Sequence, residues 1–129
     1  MLFPFLVTAL ALLYYVVITV NVGRARRKYG IKAPAITGNE DFERVFRVQQ
    51  NTVEQLVLFL PALWAHTFYV GPWIASSLGA LWLVGRILYA RGYYRAAQKR
   101  MVGFALSMGA SVLLLLGAFV GIIYRFTLL

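Results

Sequence analysis

From Gln55 to Gly85 the chain runs 31 residues without a charged side chain, interrupted by the pair Gly71-Pro72. As one helix that run would be roughly 46 Å long against a hydrocarbon core of about 30 Å, whereas two spans need about 40 residues. Pro72 suits the first turn of a helix that follows a turn glycine. The run therefore predicts two helices joined by a tight turn near Tyr69–Trp73. Counting about 20 residues outward from that turn reaches Asn51 on one side and Arg91 on the other. The shortage of apolar residues draws Glu54 and Arg86 to or inside the hydrocarbon edge.

Met1–Gly23 and Met101–Tyr124 are also uncharged, and each is long enough to span. With 129 residues, 61% of them hydrophobic and 13% charged, the chain has room for one domain and too little charge for a soluble or disordered one. The expectation is an all-α polytopic membrane protein, a four-transmembrane-helix bundle in a single domain over residues 1–129. Its helices are expected near 2–28, 42–70, 72–100 and 102–126. The first is read as a resident helix and not a cleavable signal, because no basic residue precedes it and a basic cluster follows it. Tyr29–Asp41, with Gly30, Pro34 and Gly38 as breakers, is the one real loop.

Charge is lopsided: 13 Lys and Arg against 4 Asp and Glu, net +9. Arg24, Arg26, Arg27, Lys28, Lys32, Arg44 and Arg47 fall between the first two helices. Arg86, Arg91, Arg95, Lys99 and Arg100 fall at the join of the last two, and the other side holds Arg125. Positive-inside bias places both basic loops in the cytoplasm and both termini outside. The basic residues sit where topology alone puts them, which argues against nucleic-acid binding.

The absence of cysteine excludes a disulfide scaffold, a thiolate metal site and a cysteine nucleophile. His66, the single histidine, cannot build a histidine metal cluster and reads as a packed or interfacial residue, so no metal is expected. No GxSxG, P-loop or Ser/His/Asp set is present. Gly103, Gly109, Gly117 and Gly121 on the last helix read as sites of close helix packing.

Polar chemistry concentrates on two faces. Arg44, Arg47, Asn51 and Glu54 recur at spacings of three, four and three, which places them within about 80° of one helix. Arg86, Tyr89, Tyr93 and Arg100 fall within about 60° if the third helix continues through Gly92 into Gln98. Each face has a plain structural reading, as a bundle lock for the first and as an interfacial aromatic belt with snorkelling arginines for the second. Both end at the same membrane depth, which favours a shared cationic pocket with Arg26 or Arg27 above it. Arginine forks there suit a small, multiply anionic ligand, and Glu54 and Asn51 suit its ammonium or amide. One half of such a pocket is polar and the other opens toward lipid, a geometry for joining a water-soluble substrate to a hydrophobic one.

FERVFRVQQNTVEQLVLFLPALW (Phe42–Trp64) resembles the signature of the MAPEG family, the membrane-associated proteins of eicosanoid and glutathione metabolism. VGRILYARGYY (Val84–Tyr94), with RAAQKR to Arg100 and the ARRKYG run after the first helix, is similar to the same family. The combination most resembles the microsomal glutathione transferases of the second and third types and leukotriene C synthase.

The resemblance implies a homotrimer that holds glutathione, as co-substrate, between neighbouring subunits at the cytoplasmic side. It implies glutathione contacts at Arg26, Arg47, Gln49, Asn51, Glu54, Tyr89 and Tyr93, thiolate stabilisation by Arg100, and action of Arg27 on a lipophilic electrophile arriving from the bilayer. Gln55 stands where leukotriene C synthase has a tyrosine. The implied activity is glutathione transfer for detoxification, with reduction of lipid hydroperoxides beside it. The short termini suggest a bacterial inner-membrane member. Two alternatives are a non-catalytic lipid-binding relative, which the retention of Arg47 and Arg100 disfavours, and a small multidrug transporter. The transporter is disfavoured because residues 1–23 hold no carboxylate.

Overall fold

A computed structural model describes residues 1–129 as four long helices and no strand. Helix α1 spans Leu2–Tyr29 and stops where Gly30 takes up φ 68°, a left-handed conformation that only glycine adopts without strain. Helix α2 spans Glu40–Tyr69. Asn39 caps it, its side chain accepting from the Phe42 amide at 3.0 Å, and Glu40, Asp41 and Glu43 complement the helix dipole in the first turn. Helix α3, Pro72–Arg95, starts after a two-residue connection in which Gly71 has φ 152°, so the expected turn is there.

The far end of α3 departs from expectation. The helix stops at Arg95 and does not run on to residue 100; Ala96 is extended and Ala97–Arg100 forms a 3-10 turn leading straight into α4, Met101–Thr127. The reason is steric economy at Gly92, whose missing side chain leaves room for the Lys99 carbonyl to fold back against α3.

Three stretches, Leu2–Tyr29, Pro72–Arg95 and Ala97–Thr127, are long and apolar enough to cross a membrane. Helix α2 differs because its first half carries the polar face. It packs against each of the other three helices, while α1 also packs on α3 and α3 on α4. Large aliphatic and aromatic side chains cover the outside, among them Leu2, Phe5, Leu13 and Val16 on α1 and Leu113, Leu116 and Phe119 on α4. That inverted exposure suits hydrocarbon as solvent. Inside, Phe59 of α2 and Trp82 of α3 stack with centroids 4.0 Å apart and planes within 3°.

Small residues set the closest helix approaches. A Cβ at Gly103 would strike the Tyr89 backbone nitrogen and the Gly85 carbonyl, and one at Gly117 would meet the buried His66 ring at 2.7 Å. Gly121 lies against the Tyr69 carbonyl. Gly109 differs within the chain: nothing lies within 4 Å of a Cβ there. The contrast has a measurable result. Gly103→Ala should lower stability in detergent by about 2 kcal/mol, because backbone atoms cannot yield as a side chain would. Gly109→Ala should leave it unchanged or raise it by up to about 1 kcal/mol through helix propensity. Equal losses in chemical unfolding of the two variants would refute close packing at Gly103.

Candidate functional site

The polar face of α2 and the tyrosine face of α3 meet around one cavity of about 190 Å³. Arg47, Gln50, Asn51 and Glu54 line it from α2, Tyr89 and Tyr93 from α3, and Arg100 from the 3-10 turn. A larger opening of about 410 Å³ shares Arg47 and Tyr93 with it and adds Glu40, Glu43, Arg44 and Arg95. Both basic connections of the chain therefore converge on the same end of the bundle.

Arg100 reaches the cavity because the 3-10 turn folds back, not because α3 continues. Its guanidinium lies 5.5 Å from the Tyr93 ring centroid, and Nη1 donates to the Ala97 carbonyl at 2.6 Å. Tyr89 meets Tyr93 edge to face at 5.5 Å. The one ion pair in the chain joins Arg44 to Asp41. The guanidiniums of Arg47 and Arg100 and the carboxylate of Glu54 thus face the cavity with no ionic partner of their own.

Beneath the cavity lies Arg86, wholly buried. Nη2 donates to Asn51 Oδ1 at 2.8 Å and to Thr52 Oγ1 at 2.9 Å, while Nη1 donates to Ser107 Oγ at 3.3 Å. Its Cζ sits 4.1 Å from the Tyr89 ring centroid. One side chain so ties α2, α3 and α4 together with no carboxylate to neutralise it. Its compensation is a fan of oxygen acceptors and an aromatic face.

This latch also decides what Asn51 offers. Arginine has only donors, so Asn51 must turn Oδ1 inward and present its NH₂ group to the cavity. Asn51 is then a donor suited to a carboxylate, not the acceptor for an ammonium that spacing suggested. Glu54 remains the cavity's one carboxylate.

Not every expected residue reaches this cavity. Gln49 donates to the Tyr15 hydroxyl of α1 at 3.1 Å. Arg26 donates to the Ala35 carbonyl at 2.7 Å and lies over the Phe42 ring, where it anchors the loop after α1. Arg27 is exposed and outside the cavity of its own chain. Gln50 was missed, although its spacing of three from Arg47 and four from Glu54 was the available signal.

Comparison with known proteins places the chain among relatives. The profile of the MAPEG family matches residues 4–120. An uncharacterized protein of Synechocystis, sll1147, is 60% identical over 125 residues, covering 97% of this chain and 91% of that one. Human microsomal glutathione S-transferase 2 is 50% identical over 99 residues, covering 76% of this chain and 67% of its own. Guinea pig (Cavia porcellus) leukotriene C4 synthase is 38% identical over 120 residues, covering 93% and 80%.

Proposed function

The chain belongs to the MAPEG family and is an integral membrane protein, and from that premise we propose that it is a glutathione transferase acting on lipophilic electrophiles. The carrying observation is the charge pattern of the small cavity, with two unpaired guanidiniums, one unpaired carboxylate and donor-presenting Asn51. Glutathione bears two carboxylates and one ammonium, the complementary set. Arg47 and the Asn51 amide suit the carboxylates, Glu54 the ammonium, and Arg100 the sulfur, with Tyr89 and Tyr93 as walls and hydroxyl donors.

A free thiol has a pKa near 8.5, so about a few per cent is thiolate at pH 7. A guanidinium beside the sulfur favours the anion, and the dry membrane edge strengthens that attraction. Arginine stays protonated, so Arg100 is a fixed cation and the thiol proton passes to water. The sulfur lone pair then forms a C–S bond to the electrophile, and the displaced group or opened oxygen accepts the electron pair and a proton. With a lipid hydroperoxide the sulfur attacks the terminal oxygen and the O–O bond breaks. An alcohol leaves, and a second glutathione reduces the sulfenic acid to water and a disulfide.

Arg26, Arg27 and Gln49 lie outside the cavity. Their position supports a site completed by a neighbouring copy in a homotrimer, with Arg27 of that copy toward the electrophile. Positive-inside bias supports a cytoplasmic mouth.

The test is glutathione titration of the detergent-purified protein at neutral pH, followed by calorimetry and ultraviolet thiolate absorbance. Saturable binding with a thiolate signal is expected. Binding without that signal would favour a lipid-binding, non-catalytic role, and no binding at all would end the glutathione reading. Glu54→Gln should weaken binding by about tenfold, the value of one charge-assisted contact.

A further inference from the structure

A second basic groove lies at the α3–α4 junction; it shares Arg95 with the larger opening above but no residue with the small cavity, and the glutathione reading does not use it. It encloses about 300 Å³ between the end of α3 and the start of α4, with Arg91, Arg95 and Lys99 around it and Leu88 and Val102 as its apolar walls. Its floor is made by Gly92 and Gly103, whose missing side chains bring the two helices together. All three cations are exposed, and none has a carboxylate within ion-pairing distance.

The sequence of α3 arranges this face as a stripe. Val84, Leu88, Arg91 and Arg95 follow at spacings of four, three and four, one side of the helix. Val84 is 50% exposed, Leu88 42% and Val102 of α4 68%. Two aliphatic side chains at membrane depth thus lead into a cluster of cations at the membrane edge. A soluble anion would use the cations and ignore the aliphatics. A phospholipid uses both, with phosphate oxygens in the arginine forks and an acyl chain along Val84 and Leu88.

We propose that the groove between the end of α3 and the start of α4 is a binding site for the headgroup of an anionic phospholipid, held through its phosphate by Arg91, Arg95 and Lys99. The site places one lipid beside Gly92 and Gly103, the residues that let the 3-10 turn fold back and deliver Arg100.

Native mass spectrometry of the whole detergent-purified protein, titrated with dioleoyl phosphatidylglycerol or dioleoyl phosphatidylcholine, tests this. Phosphatidylglycerol should be retained in preference to phosphatidylcholine. The combined variant Arg91→Gln, Arg95→Gln, Lys99→Gln should weaken phosphatidylglycerol binding by about a hundredfold. Removing the same charge at Arg24, Lys28 and Lys32 should weaken it by less than about tenfold. Equal losses in the two triple variants would reduce the groove to general surface attraction. No preference for phosphatidylglycerol, or competition by soluble glycerol phosphate at equal concentration, would overturn the lipid assignment. If the groove triple variant does not retain its helical circular dichroism, each single neutralisation should still give about a fivefold loss, and no loss in any of them overturns the site.

Discussion

Arg100→Ala should remove the thiolate absorbance expected of glutathione on the unsubstituted protein, while glutathione binding should fall by no more than about tenfold. The asymmetry follows from where Arg100 stands. It is one of two unpaired guanidiniums in the cavity, and in the proposed binding mode the carboxylates of glutathione rest on Arg47 and Asn51. The sulfur has no such reserve. A lowering of about two pKa units, roughly 2.7 kcal/mol, is what turns a small thiolate fraction at pH 7 into the majority. In the unsubstituted protein the signal should persist as pH falls toward about 6.5, whereas in the variant it should vanish below about 8.5, the free thiol's own range. Arg100→Lys keeps the charge but loses the planar fork anchored on the Ala97 carbonyl, and should recover part of the signal. A full signal in Arg100→Ala would transfer the role to Arg47.

Arg86→Met should destabilise the bundle by about 3 kcal/mol, and it should also weaken glutathione binding from beneath the site. The substitution leaves Asn51, Thr52 and Ser107 without their donor, at about 1–3 kcal/mol for a fully orphaned buried group. Ser107 softens the loss, since its hydroxyl still donates to the Gly103 carbonyl at 3.0 Å. Asn51 suffers more. Freed from Nη2, its amide is no longer held with NH₂ toward the cavity, and affinity should drop by at least about tenfold. Equilibrium unfolding in detergent and calorimetry on the folded fraction separate the two effects. A stability loss below about 1 kcal/mol would refute the latch, and an unchanged affinity would refute its hold on Asn51.

Much of this was legible in the residues. Gly71-Pro72 marked the hairpin, and the spacing of Arg47, Asn51 and Glu54 marked the polar face. The tyrosines at 89 and 93 share the cavity as their spacing implied. Counting from the turn drew Arg86 to the hydrocarbon edge, but neither that count nor a helical wheel separates a sealed side chain from one that lines a cavity. Arg86 shares an angle with Tyr89 and Tyr93, yet one turn deeper it is sealed among three helices instead of lining the cavity. Partners outside the helix were equally hidden. Nothing in the spacing of Arg26 announces the Ala35 carbonyl, and nothing in Gln49 announces Tyr15. The end of α3 turned on a contact between Gly92 and the Lys99 carbonyl, a through-space event seven residues along the chain.

The two-residue connection between α2 and α3 bears on how the protein is made. A ribosome delivers α2 first, so Asn51 and Thr52 already exist when Arg86 emerges. With so short a connection the two helices must enter the bilayer as a hairpin. Arg86 then meets two of its three side-chain acceptors during insertion, and only Ser107 arrives later with α4. A lone arginine at mid-helix resists translocon release by about 2.5–3.5 kcal/mol. The order of synthesis lets this one travel into lipid already chaperoned by its own neighbouring helix.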